Sequence, residues 1–266
     1  MTDIAPEKIF EKMRSETPLV QCITNYVAMN IAANVLLSAG ASPAMIHAEE
    51  EAGDFAKIAS ALTINIGTLS PQWIAGMKAA ANGANEAGTP WVMDPVAHFA
   101  TPYRANAALE ILNLGPTILR GNASEILAFS GATSGGKGVD SGDSVEAAEA
   151  TAKTLATERS MVVAVTGEKD FVTDGKRVAR ISGGSPMMPQ ITAMGCALTG
   201  LVGAFSGVHR DDPFEATVTA LALFGVAGAR AHKSASGPGS FSVQFLDQLA
   251  AITPEDLKKE AGIELQ

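Results

Sequence analysis

The sequence predicts an α/β fold: a mostly parallel central sheet flanked by helices on both faces. Three observations carry this. Short apolar runs alternate with helical patterns along most of the chain, which is how a parallel sheet buried on both faces reads. Apolar residues make up 47% of the chain and aromatics only 5%, with Ala and Gly abundant, and small side chains let helices pack closely on a sheet. The pair Asp174-Gly175 stands between two alternating runs, a strong hairpin signal, so an antiparallel ribbon follows the parallel strands.

Taken in order, residues 5–16 carry an amphipathic helical pattern and 19–24 a short strand. Residues 27–39 read as a helix stopped by Gly40. An apolar strand is expected at 44–47, a helix at 50–59 and a strand rich in β-branched residues at 61–67. Pro71 opens a helix that runs to Ala87. A strand at 90–94, a helix after Pro102, a strand at 117–121, a helix from Ala123 and a strand at 161–166 follow. Residues 131–142, rich in Gly and Ser, read as a surface loop, and beyond the 170–181 ribbon the chain is expected to be mainly helical. No linker or internal repeat interrupts residues 1–266, which read as one domain.

Charge narrows the function. A net charge of −9 without any Lys/Arg cluster argues against nucleic acid, whose binding needs a basic face. Anionic ligands must then be held by a few basic groups and by backbone N–H groups. The two cysteines, Cys22 and Cys196, form no metal or redox spacing, so a reducing cytoplasm is the expectation. The first ten residues include Asp3 and Glu7 and no long apolar run, so they do not read as a signal peptide. Two stretches, 17–46 and 181–209, lack Asp, Glu, Lys and Arg altogether. Their polar side chains argue against membrane spans, which need about 20 predominantly apolar residues. They read as buried segments whose polar groups need partners, and a ligand is one way to supply them.

Open α/β sheets bind ligands beyond the carboxyl ends of their strands. There the sequence places Asn25, His47, Gly67, Asp94, Asn122 and Thr166. Each alone fits a turn or cap; a site needs several to converge. Thr192-Ala193-Met194-Gly195-Cys196 opens an uncharged helix after a Pro/Gly-rich loop. The N–H groups of Ala193, Met194 and Gly195 suit an anion hole, since helix starts bind anions without basic side chains. An ordinary loop capped by Thr192 or Gly195 is the alternative. In Arg120-Gly121-Asn122-Ala123-Ser124-Glu125, Asn122 and Glu125 form a capping-box pair; the functional reading has them face a hydrated Mg2+ while Arg120 contacts phosphate. Asp94 either caps a turn or orients metal-bound water or a substrate hydroxyl. Motifs of P-loop NTPases, zinc proteases, α/β-hydrolases and dinucleotide folds are absent from the sequence.

The segments QCITNYVAMNIAANVLLSAGASPAMIHAEEE, INIGTLS, DPV, RGNASEI, AVTGEKD and TAMGC, in this order and spacing, resemble those of hydroxyethylthiazole kinases from near the N-terminus to about Ala229. The resemblance implies a ribokinase-like fold and Mg2+-dependent transfer of the ATP γ-phosphoryl group to the hydroxyl of 4-methyl-5-(2-hydroxyethyl)thiazole. It also implies a homotrimer with sites at subunit interfaces. By the same resemblance Met45 contacts the thiazole with Asn25 and Gly67 nearby, Gly195 lies beside the substrate, and Arg120 and Thr166 bind ATP. It further implies that Asp94 and Glu125 are the acids around phosphate and metal. Cys196 stands where related sugar kinases carry a catalytic Asp, and its place at a helix start predicts a thiol shifted towards thiolate. Two departures stand out: Ala193 replaces the first glycine of T-G-x-G-C, and Ala97 and Phe99 interrupt D-P-V-G-x-G. Bulk at Ala97 and Phe99 is expected to reshape the pocket. The alternatives are a kinase for another small alcohol such as a hydroxymethylpyrimidine, an ATP- or ADP-dependent nicotinamide-hydrate dehydratase, and a binding protein without activity.

Overall fold

A computed structural model describes residues 4–131 and 143–266. The strands are β1 (Leu19–Ile23), β2 (Ser42–Ala44), β3 (Ala61–Asn65), β4 (Trp91–Asp94), β5 (Ile118–Asn122), β6 (Val162–Thr166), β7 (Lys169–Thr173), β8 (Val178–Ser182) and β9 (Gly262–Leu265). They form one sheet in the order β2-β1-β3-β4-β5-β6-β7-β8-β9. From β2 to β6 every pairing is parallel, and from β6 to β9 every pairing is antiparallel. The expected ribbon is β7–β8, closed through Asp174, whose Oδ1 accepts the N–H groups of Lys176 and Arg177.

Helices cover both faces. On one lie α1 (Pro6–Glu16), α2 (Met29–Ala39), α8 (Met194–Val208), α9 (Pro213–Ser234), α10 (Pro238–Ala251) and α11 (Pro254–Glu260). On the other lie α3 (Glu49–Ile58), α4 (Pro71–Ala87), α5 (Pro102–Leu112), α6 (Ala123–Ala128) and α7 (Val145–Arg159). Each face has its own apolar core. Phe10, Leu36, Leu201, Phe205 and Phe241 anchor one; Ile64, Met77, Trp91 and Ile126 anchor the other. Helix α9 is long and apolar enough to span a membrane, yet 78% of its most apolar window is buried inside the protein, as a core helix requires. Gly40 ends α2 at φ 104° and donates to the carbonyls of Leu36 and Leu37, a left-handed cap that glycine adopts without strain.

The element map departs from the expectation at two points. The strand expected at 44–47 lies at Ser42–Ala44. It is the edge strand, where Pro43 removes no interior ladder bond. Helix α7, hidden behind the Gly/Ser-rich stretch, runs from Val145 to Arg159 with Ser144 as N-cap. The C-terminal part is mainly helical as expected, with β9 added to β8. The surface loop expected at 131–142 lies, but for Gly131, outside the described residues.

Candidate active site

A cleft of about 710 Å³ opens at the carboxyl ends of the parallel strands. Its wall takes Asn25 after β1, Gly67 after β3, Asp94 at the end of β4, Arg120 and Asn122 from β5, and the start of α8. Both uncharged stretches reach it, the first through Asn25 and Val27, the second through residues 188–196.

Asp94 is the hub. Its Oδ2 accepts from Asn65 Nδ2 at 2.8 Å and from Thr199 Oγ1 at 2.7 Å, and Arg120 Nη1 lies 3.4 Å away. Its Oδ1 is buried and has no hydrogen-bond partner among the described residues. Burial pushes the Asp94 carboxyl up from the ordinary carboxylate value, against the pull of Arg120, Thr199 and Asn65. Arg120 spans the site, donating through Nη2 to Thr166 Oγ1, while its buried Nε is likewise unpartnered. Gly195 lies against this guanidinium: a Cβ there would come within 2.9 Å of Nη1 and Nη2. Gly67 is glycine for a similar reason, since a Cβ would meet the Asn25 side chain at 2.5 Å.

At the start of α8 no side chain caps the helix. The capping role expected of Thr192 or Gly195 is therefore unfilled, and the first-turn N–H groups have no intrahelical acceptor. Ala193 takes the N-cap position at φ 59°, ψ 20°, and Ala97 sits at φ 48°. Both alanines that interrupt the expected glycine patterns thus hold left-handed backbone, which costs an L-residue roughly 1–2 kcal/mol.

Cys196 faces the cleft, and its Sγ accepts from Asn25 Nδ2 at 3.4 Å. The expected shift towards thiolate is overturned. Burial, and then the Asp94 charge, push the thiol up to about 11, against the pull of Asn25, Asn65 and Arg120. Glu125 completes the capping box, its Oε2 accepting the Asn122 N–H at 2.8 Å and its Oε1 the Ala97 N–H at 2.9 Å. Burial and the neighbouring Asp94 raise its carboxyl to about 7.

A second cleft of about 690 Å³ lies beyond the Arg120–Thr166 pair, lined by Thr166, Gly167, Asp143, Val145, Glu146 and Gly183, among others. Asn25, Gly67, Asp94, Glu125, Arg120 and residues 193–196 therefore share one cleft, with Thr166 joined to it through Arg120. Met45 does not line either cleft: it follows edge strand β2 and packs against the core. Ala97 and Phe99 do not line them either, and Val96 is the residue of that loop in the wall. Asn65 and Thr199, which hold Asp94, went unnoticed in the sequence. A polar residue inside an apolar strand, and a hydroxyl one helical turn after Gly195, are the signals that mark them.

The profile of the hydroxyethylthiazole kinase family matches residues 10–255. The chain belongs to this family. A hydroxyethylthiazole kinase from Rhizobium johnstonii is 63% identical over 262 residues, 98% of each chain. Among solved structures, that of the hydroxyethylthiazole kinase protein from Pyrococcus horikoshii OT3 superposes with a TM-score of 0.89 at 38% identity, covering 98% of both chains. A ribokinase-like superfamily protein from Enterococcus faecalis V583 shares the fold at a TM-score of 0.66 and 12% identity, over 93% of this chain and 95% of that one. The hydroxyethylthiazole kinase family thus accounts for nearly the whole chain, and the fold is ribokinase-like.

Proposed function

We propose that the cleft transfers the γ-phosphoryl group of ATP to the hydroxyl of 4-methyl-5-(2-hydroxyethyl)thiazole. The observation that supports it best is the convergence of an uncapped helix start, Arg120 and a carboxylate with a free oxygen, all in one cleft. The alcohol lies on the Asn25, Gly67 and Gly195 side, with its hydroxyl at Cys196. The phosphates take the Arg120 and Thr166 side, and the nucleoside enters the second cleft. The hydroxyl oxygen bonds to the γ-phosphorus as the bond to the β-γ bridging oxygen breaks and ADP departs, and the hydroxyl proton passes to an oxygen of the transferred phosphoryl group. Negative charge on the transferring group is met by the N–H groups of Ala193, Met194 and Gly195 and by Arg120.

In the loose transition state of phosphoryl transfer, deprotonating the nucleophile is a small part of the barrier. A thiol raised to about 11 is then adequate to hold the hydroxyl. Magnesium fits this donor set, because Mg2+ keeps most of its waters and takes one or two carboxylates. The unpartnered Asp94 Oδ1 would hold it. Glu125, whose two oxygens already accept N–H groups, would reach it through water. Bound there, the ion would neutralise phosphate charge.

Met45, outside the wall of a single chain's cleft, would contact the thiazole at an interface between copies of a homotrimer. Two free thiols suit a cytoplasmic protein. Coupled ADP-release assays with the thiazole alcohol, a hydroxymethylpyrimidine and hydrated NADH test the reading. Magnesium-dependent turnover of the thiazole alcohol is expected; preference for either alternative, or no turnover at all, would overturn it.

A further inference from the structure

Arg104 lies in the first turn of α5, half-buried and outside the wall of either cleft. Its guanidinium is committed to main-chain carbonyls. Nη1 donates to Gly67 O at 2.8 Å, Nη2 to Ile66 O at 2.7 Å and also to Val96 O, and Nε to Ala97 O at 3.0 Å. Two of these carbonyls belong to the loop that leaves β3, and two to the loop that leaves β4. The first loop gives the cleft wall Gly67 and Thr68 and the second gives Val96, and Asp94 stands two residues before Val96.

The β4 loop is gripped from its other side as well. The Ala97 N–H goes to Glu125 Oε1 and the Ala97 carbonyl to Arg104, at a residue with φ 48°. A left-handed alanine persists where its surroundings over-determine it, and these two bonds do so. Only a planar fork with five donors can serve carbonyls from two loops at once; an ammonium offers three donors from one point.

We propose that Arg104 is a positioning residue for phosphoryl transfer, its guanidinium setting the spacing between the Asn25–Gly67 side of the cleft and the Asp94 side. Its bearing on catalysis rests on the kinase reading above. A displacement of about 1 Å at a reacting centre costs roughly a hundredfold in rate. The ATP-side pair Arg120–Thr166 belongs to β5 and β6, to which Arg104 makes no hydrogen bond among the described residues.

The test uses the full chain with Arg104→Lys and Arg104→Ala. Hydrogen exchange on the unliganded protein needs no substrate. Amides at 66–68 and 96–98 are expected to exchange roughly ten- to a hundredfold faster in Arg104→Lys, the range of one lost charged hydrogen bond, while 166–167 and α8 keep wild-type rates. In kinetics, kcat is expected to fall by roughly the same factor and the KM for the alcohol to rise, with the KM for ATP unchanged. Arg104→Lys with wild-type exchange in both loops, or with wild-type kcat and alcohol KM on a folded enzyme of lower Tm, overturns the proposal. So does failure of both variants to fold, which would make Arg104 a staple of the fold. If the wild type itself releases no ADP with the alcohol, the kinase reading is what fails, and the exchange rates still decide whether Arg104 holds the two loops together.

Discussion

Two residues show how environment overrides type. A cysteine at a helix start is ordinarily acidified, yet Cys196 is driven the other way because its Sγ is buried and near Asp94. General-base effects are typically about 10²–10⁴-fold, but a thiol raised to about 11 stays protonated at neutral pH, so Cys196 positions the hydroxyl rather than deprotonating it and its loss is held to the low end of that range. Cys196→Ala is therefore expected to lose about a hundredfold in kcat with the KM for ATP unchanged; steady-state kinetics at saturating ATP check this, and an undiminished kcat would mean that the thiol takes no part. Glu125 shows the same override. Its carboxyl, raised from 4.5 to about 7 by burial and by Asp94, favours the folded state most when protonated. That contribution is complete below pH 4.5 and is lost as pH climbs through 7. Chemical denaturation from pH 4.5 to 8 is expected to show stability falling across this window in the wild type and a flatter profile in Glu125→Gln. The variant should also be less stable by about 1–3 kcal/mol, because its amide can accept only one of the Ala97 and Asn122 N–H groups. An equal slope in both proteins would contradict the assignment of the raised carboxyl to Glu125.

At the scale of elements, the start of α8 is where local sequence and backbone disagree. Ala193 occupies left-handed space that glycine enters without strain. Ala193→Gly is accordingly expected to raise stability by up to about 1 kcal/mol, and Ala193→Val, β-branched and so worse at positive φ, to lower it and disturb the helix start. Thermal melts decide: a less stable glycine variant would show that the residue is not left-handed in the native protein. The rest of the element map was legible where periodicity and punctuation agree, as in Pro71–Ala87 and in the Asp174-Gly175 ribbon. It was not legible for β9, whose four residues exist as a strand only through pairing with β8. The site divides along the same line. Asn25 and Gly67 follow strands, Asp94 and Thr166 end theirs and Arg120 lies in the last part of β5, so all could be found by position. Arg104 reaches its acceptors across 37 and 38 residues of chain and Thr199 reaches Asp94 across 105; no local pattern encodes such distances.

At the scale of the whole molecule, the two cores lock the sheet from both faces, and some of the exposed apolar side chains lie beside the cleft. Tyr26 is 66% exposed and Val27 56%, with Leu37 at 61% on the helix that follows. This is the same segment that carries Asn25 and Val27 into the cleft wall. Tyr26 also packs edge-on against Trp73, and Trp73 stacks on His47 in the loop that holds Met45. Exposed apolar side chains beside a cleft are where a partner copy would be expected to sit, and closed cyclic symmetry would use such a surface in every copy. A trimer would cover the rim and place Met45 at a shared site. Light scattering is expected to give three times the chain mass for the wild type. In Val27→Glu, a charge buried against a neighbour without a counterion should shift the mass towards one chain and remove turnover of the alcohol together. A wild-type monomer that stays active on dilution would show instead that one chain closes its own cleft, and Met45 would then have no route to the thiazole.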